Sequence, residues 1–249
     1  AVSASLWLWP VGVAGARAPA APWWLAIAAT RPVLLAAVFS PGTGVAEDEG
    51  QHLQSIYPTA GRHGGWGRFA FRDGAHLTED SPLVSPGSAA SIEAGWAPYW
   101  SDPSAPWRCE KSPPNLLQLR FLKALWPDAA FLVVVRHPVA VTLATRKQMQ
   151  RSRNPVRRYY PSLRVLRHWE RAYSLAQPDM EQVGAIVVRY EDFIASPRAE
   201  ADRIYAALGL EPFAVEADID PTANDRYLRA WTGSDEWRSY PSALRYGYA

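Results

Sequence analysis

Cysteine is almost missing from this chain. Cys109 stands alone among 249 residues, which excludes an internal disulfide framework and a cysteine-based zinc site. The five histidines, His52, His63, His76, His137 and His168, show no ligand spacing such as i, i+4, so no metal is expected. Charge of one sign is also scarce. The 26 Lys and Arg residues against 24 Asp and Glu leave a net +2, too little to point to nucleic acid or a membrane surface, though compatible with a local basic pocket. Long apolar runs are lacking too. Pro10, Pro19, Pro22, Arg31 and Pro32 interrupt the most apolar stretch before it reaches the roughly 18 residues a span needs. Neither a membrane nor a nucleic acid is expected as partner, and the expected location is the cytoplasm.

Acidic residues are missing from one stretch in particular. Residues 1–46 hold no Asp, Glu or Lys, and Arg17 and Arg31 are their only charges. The stretch is rich in Ala, Pro and Trp, as in Ala18-Pro19-Ala20-Ala21-Pro22-Trp23-Trp24. From Glu47 onward the composition is that of an ordinary globular enzyme. We divide the chain into an atypical segment, residues 1–41, and a domain, residues 42–249.

What the domain does contain is an alternation of strands and helices. Phe131–Val135 and Ala185–Val188 are continuous apolar runs, as expected of strands buried on both faces. Between and around them, Pro114–Trp126, Val139–Met149 and Tyr160–Leu175 carry helical spacing. Ser196 and Pro197 open a further helix that Gly209 stops. Strands separated by helices of this length predict right-handed βαβ units and a parallel sheet. In such sheets ligands sit at the carboxyl ends of the strands, which directs attention to Arg136-His137-Pro138. An Arg there can grip a phosphate through two bonds, or it can satisfy strand-end carbonyls. From local physics alone the two readings stand level.

An ordered set of segments separates them. Glu110-Lys111-Ser112-Pro113-Pro114-Asn115, then Trp126-Pro127-Asp128-Ala129, the Phe131–Val135 strand and Arg136-His137-Pro138 resemble the core of the sulfotransferases that use 3′-phosphoadenosine 5′-phosphosulfate. Val188-Arg189-Tyr190-Glu191-Asp192, Leu208-Gly209-Leu210, Asn224-Asp225-Arg226-Tyr227 and Tyr246-Gly247-Tyr248 resemble later parts of the same family. Gly44–Gln54 and Gly64–Phe69 look like a bacterial branch of it. The resemblance covers about four fifths of the chain. It implies a three-layer α/β fold of the P-loop NTPase type, with a central parallel sheet flanked by helices. It also implies sulfo transfer from that donor, without a metal, to a hydroxyl or amine acceptor that is a small molecule, a carbohydrate or a peptide.

The resemblance assigns roles by position. Arg136 would bind the donor's 3′-phosphate. Where the family has a Ser eight residues later this chain has Ala144, so neighbouring Thr145 is the substitute. Lys111 would meet the transferring group and stabilise charge in the transition state, and Arg226 would approach the donor late in the fold. Pro113 stands where cytosolic members carry a catalytic His, so the base is sought in Glu47-Asp48-Glu49, with Glu47 and Glu49 as candidates and His52 second. Glu191 and Asp192 are read as structural. The acceptor pocket is expected between the loops Tyr57–Pro82 and Met149–Pro161, and Arg151, Arg153, Arg157 and Arg158 suit an anionic acceptor, the donor's phosphate or plain solvation. One family element is not spelled out. A Ser-Gly-Thr-rich phosphate loop belongs about thirty residues before Glu47, where Arg17–Trp23 stands instead, and its prolines remove the N–H donors such a loop supplies. Read one nucleotide earlier, the codons of Ala18–Trp24 permit Arg-Ser-Gly-Gly-Thr-Leu-Val. A pair of compensating frameshifts would therefore account for both the missing loop and the missing acids. The alternative function is a catalytically impaired relative that only binds the adenosine bisphosphate nucleotide or a partner. A phosphotransferase is disfavoured because no Gly-x-x-x-x-Gly-Lys-Ser/Thr is present.

Overall fold

The computed structural model describes strands 8–9, 23–28 and 43–45 together with residues 49–99, 107–210 and 222–249. Six strands form one sheet: β1 (Leu8–Trp9), β2 (Trp23–Ala28), β3 (Thr43–Val45), β4 (Trp107–Lys111), β5 (Ala130–Val135) and β6 (Ile186–Arg189). They lie in the order β3-β4-β1-β2-β5-β6, and β2 also pairs with β4. All pairings except those of the two-residue β1 are parallel. The chain steps outward from β2 to β3, returns through β4, and then crosses to β5 on the other flank of β2. That reversal makes the carboxyl ends of β4, β2 and β5 a topological switch point, the place where open α/β sheets bind ligands.

β5 explains why its sequence is an unbroken apolar run. Its neighbours are β2 and β6, with Ile27 and Ile186 both in register with Leu132, and Phe131 to Val135 are all 3% exposed or less. The helices are α1 (Pro86–Trp96), α2 (Leu119–Leu125), α3 (Pro138–Gln150), α4 (Pro155–Arg158), α5 (Ser162–Val183), α6 (Tyr190–Ala195), α7 (Pro197–Leu208), α8 (Ala223–Arg229) and α9 (Pro241–Arg245). The long α5 is tied to the sheet by side chains. Tyr173 donates to the Val134 carbonyl at 3.0 Å and Trp169 donates to the Arg136 carbonyl at 3.1 Å. Both bonds satisfy carbonyls at the end of β5, so α5 fixes the strand end from which the site is built.

Three sequence expectations are corrected. The helix expected over Pro114–Trp126 is two pieces, a 3₁₀ turn at Pro113–Leu117 and α2. The Leu117 carbonyl accepts from the Leu77 N–H at 2.9 Å, so it does not serve a helical ladder, and Gln118 leaves helical geometry at φ −133°. The helix expected over Tyr160–Leu175 runs on to Val183 through Pro178. Ser196 precedes α7 without a side-chain capping bond, although Gly209 ends that helix as expected at φ 66°, a conformation costly for residues with a Cβ. The other three expected elements, Phe131–Val135, Val139–Met149 and Ala185–Val188, fall within a residue of the observed ends of β5, α3 and β6. No helix among the described residues is long and apolar enough to cross a membrane.

Candidate active site

Two clusters stand at the switch point. The first begins where β4 ends. Lys111, its last residue, is 4% exposed, and its Nζ lies 3.2 Å from Oε1 of Glu49, itself 2% exposed. The sequence offers these two residues as separate candidates; the fold makes them a buried ion pair. The other Glu49 oxygen accepts from Gln51 Nε2, and His52 Nε2 stands 3.9 Å away from it. Of the remaining base candidates, Glu47 and Asp48 lie outside the described residues.

The segment carrying Glu49 is stapled to β4 by a residue the sequence reading left without a role. Glu110 is fully buried and accepts from the Gly50 N–H at 3.0 Å, from the Ser112 hydroxyl and from the Asn115 amide. Ser112 in turn accepts from the Gln51 N–H at 3.3 Å, and Gln51 Oε1 accepts from the Ala60 N–H at 2.7 Å. Burial pushes the Glu110 carboxyl up to about 8, against the opposing pull of the Ser112 and Asn115 donors. Its alternation within the strand gave no hint of this, because a Glu beside a Lys at a strand end reads as solvated charge.

The second cluster follows β5. Pro138 opens α3, and His137 caps it by accepting the Val139 N–H at its Nδ1, 3.2 Å away. Burial, then the Arg238 and Arg136 charges, lower the His137 ring to about 4, consistent with a neutral acceptor. Arg136 is 2% exposed. Its Nε and Nη2 donate to Oδ1 of Asn224 at 2.8 and 2.6 Å. The guanidinium lies over the rings of Tyr190 and Tyr227, at 4.4 and 5.5 Å, a cation–π arrangement. Asn224 donates onward to Glu191, which also accepts from the His137 N–H at 3.1 Å and from the Tyr248 hydroxyl at 2.6 Å. Glu191 is thus a structural carboxylate joining β5, α6, α8 and the last residues of the chain, while Asp192 pairs with Arg189.

Thr145 is half-buried at mid-helix, with its methyl toward Gly67. Thr142, closer to the Arg136 turn, is fully buried and its hydroxyl has no hydrogen-bond partner among the described residues. Arg226 is exposed on α8, two positions after Asn224. Among the described residues no group of His, Cys, Asp and Glu is arranged to hold a metal ion.

A cavity of about 230 Å³ adjoins the first cluster. Gln51, His52, Ala60, Gly61, Gly65 and Trp66 form one wall and Gln148, Met149, Ser152 and Arg157 the other. Ala60, Gly61, Gly65 and Trp66 belong to the first loop expected to enclose an acceptor and Met149, Ser152 and Arg157 to the second, whereas Gln51, His52 and Gln148 lie outside both.

The profile of the sulfotransferase family matches residues 53–214, well over half of the chain and inclusive of Lys111, Arg136 and Glu191. The chain belongs to the sulfotransferase family. Among solved structures, the sulfotransferase domain of the Synechococcus PCC 7002 olefin synthase is similar at 18% identity with a TM-score of 0.51, covering 90% of this chain and 94% of that one. The sulfotransferase domain from the curacin biosynthetic pathway is similar at 14% identity, TM-score 0.44, over 66% and 68%. The first likeness agrees with the P-loop NTPase-like α/β fold that the resemblance implies and with the parallel sheet. No curated protein matches the sequence.

The position expected for a phosphate loop is described only at its last residue. Arg17–Pro22 lie outside the described residues, and Trp23, the last residue of the expected loop position, opens the central strand β2. A loop at Arg17–Trp23 would therefore precede the central strand, whereas ligand loops of such sheets follow their strands. The segment that does follow, 29–42, lies outside the described residues.

Proposed function

We propose that the chain transfers a sulfo group from 3′-phosphoadenosine 5′-phosphosulfate to a hydroxyl or amine acceptor, a small molecule, carbohydrate or peptide. The observation that carries this reading is the buried Lys111–Glu49 pair on one flank of β2, with the buried Arg136 on the other. A cation on each side of the switch point suits a donor with charge at both ends. In this reading Arg136, held edge-on by Asn224, takes the 3′-phosphate and Lys111 takes the phosphosulfate end. The chemistry the donor supplies is an activated sulfur–oxygen bond.

Glu49 has the reach for the acceptor side, because it stands between Lys111 and the cavity wall at Gln51 and His52. It takes the acceptor proton as the acceptor oxygen or nitrogen bonds to sulfur. The bridging bond between sulfur and the phosphate oxygen breaks, its electron pair stays on that oxygen, and Lys111 stabilises the charge that develops there. Low local dielectric strengthens both roles. The test is transfer of radiolabelled sulfo groups to a panel of phenols, amines and sugars. Glu49→Gln lowers the rate by about 10²–10⁴-fold, as expected for a lost general base, while affinity for adenosine 3′,5′-bisphosphate stays within about twofold. An unchanged rate removes Glu49 from the reaction.

One observation favours a second reading, a relative that binds nucleotide without transfer. The segment after β2, Ala29-Thr30-Arg31-Pro32 and onward, has no glycine before Gly42, so a glycine-rich phosphate loop is not encoded there in this frame. Compensating frameshifts over residues 1–41 would place Ser, Gly and Thr at Ala18–Trp24 and rewrite the residues of β2 as well, and the coding-strand sequence decides it. A shifted frame lacking Ser, Gly and Thr there leaves the binder reading ahead.

A further inference from the structure

We infer that the acceptor of this enzyme is an anion: a hydroxyl or amine compound that also carries a carboxylate or phosphate, with the anionic group held by Arg157 in the cavity beside Glu49. The inference rests on the proposed transfer and names its substrate class.

The charge distribution around the cavity is one-sided. The wall segment 50–72 has no Asp or Glu, but has Arg62, Arg68 and Arg72. Residues 129–169, which supply the opposite wall, also contain no Asp or Glu and contain nine Lys and Arg residues. A cavity between two acid-free walls concentrates anions and repels cations. Two carboxylates lie nearby: Glu49, which Lys111 faces at 3.2 Å, and Glu110, which is buried behind the wall and bonded to Gly50, Ser112 and Asn115.

Arg157 is the cation placed to use that field. It lines the cavity, and its guanidinium has no ion-pair partner among the described residues, unlike Arg167, which engages Glu236 at 2.8 Å. Its location is built rather than incidental. Asn154 caps α4 by accepting from the Val156 N–H at 2.9 Å, and Arg146 donates to the Arg157 and Arg158 carbonyls at 3.5 and 3.3 Å. Across the cavity the guanidinium rests on Gly65. A Cβ there would come within 3.0 Å of Nη2, and Gly65 holds φ +83°, so that wall is kept bare where Arg157 lies on it. Trp66, 43% exposed, offers an aromatic surface beside it for the apolar part of the acceptor.

The donor's 3′-phosphate does not account for Arg157. Arg136 stands at the start of α3, while Gln148 and Met149 line the cavity near its end. At about 1.5 Å per residue, that is roughly 16 Å along the helix axis from Pro138 to Met149. The two arginines therefore address different groups.

The test compares matched probes on the full chain by saturation-transfer NMR: phloretic acid against its methyl ester, and tyrosol phosphate against tyrosol. Each charged member binds about tenfold more tightly than its neutral partner, the scale of one charge-assisted hydrogen bond. Arg157→Gln brings the two members within about twofold and leaves binding of adenosine 3′,5′-bisphosphate unchanged. A preference confined to the acid or to the phosphate identifies which anion the cavity takes. Equal binding of paired probes, no binding of any probe, or a preference that survives Arg157→Gln overturns the inference. Failure of the transfer reading looks different: the probes still discriminate by charge, but the bisphosphate does not bind.

Discussion

At the residue scale, the site is a set of buried polar groups whose partners were not readable from spacing. Lys111 and Glu49 are 62 positions apart, and only the return of the chain from β3 to β4 brings them together. The sequence placed both near the chemistry but left each alone, and a lone Lys at a strand end or a lone Glu in an acidic run reads equally well as solvated. Glu110, Gln51 and Asn224 stand inside segments that carry the resemblance, yet none had a role, since hydrogen-bonded positioning across 60 to 88 residues shows in no local spacing. Thr142 is the converse case, a buried hydroxyl without a hydrogen-bond partner among the described residues. Burying such a group costs about 1–3 kcal/mol, and Val fills nearly the same volume. Thr142→Val is expected to raise stability by about 1 kcal/mol, read as a higher urea midpoint with unchanged slope. A lower midpoint means the hydroxyl has a use that its present geometry hides.

At the scale of elements, α8 is what holds Arg136 in place. Asn224 takes two guanidinium donors on one oxygen and passes its amide to Glu191, which is anchored by the His137 N–H and Tyr248. The strand and turn that bear Arg136 were legible from their apolar run and Arg-x-Pro pattern. The helix that orients its side chain was not, because it arrives 88 residues later. Asn224→Ala removes both bonds to the guanidinium and the link to Glu191. We expect affinity for adenosine 3′,5′-bisphosphate to fall by about tenfold, the worth of one or two hydrogen bonds to a charged group, and amide exchange across 223–229 to quicken. Quickened exchange with unchanged affinity would make α8 a structural brace alone.

At the scale of the whole molecule, buried titratable groups set the pH range of stability. Burial lowers His168 to about 3, and its Nε2 accepts the Ala70 N–H at 3.1 Å; His137 is lowered to about 4. For both rings the folded value lies below the unfolded one of about 6.5, so their contribution is complete above pH 6.5 and is lost as pH falls toward 4 and 3. His168 alone accounts for about 2 kcal/mol between pH 7 and pH 5. Glu110 acts in the other direction. Its folded value of about 8 exceeds the unfolded one, so its contribution is complete below about pH 4.5 and is lost as pH rises through 8. Stability is therefore expected to fall on both sides of neutrality in urea titrations, and His168→Gln to flatten the acid limb. An acid limb unchanged by His168→Gln would assign that loss to other groups. The α/β class and the order of β5, α3, α5, β6 and α7 were legible because parallel strands and amphipathic helices have strong periods, whereas the short α4 and α6 were not. The extent of α5 and the split before α2 were not, since both depend on tertiary bonds such as Leu77 to Leu117.

The central claim is that Arg136, at the carboxyl edge of β5, receives the 3′-phosphate of an adenosine nucleotide. Isothermal calorimetry with adenosine 3′,5′-bisphosphate, on the unaltered chain and on Arg136→Ala, tests it most directly. The expected result is saturable one-site binding that weakens by at least about tenfold in the variant. A folded chain that does not bind the bisphosphate, or an Arg136→Ala variant that binds it equally well, would contradict the account.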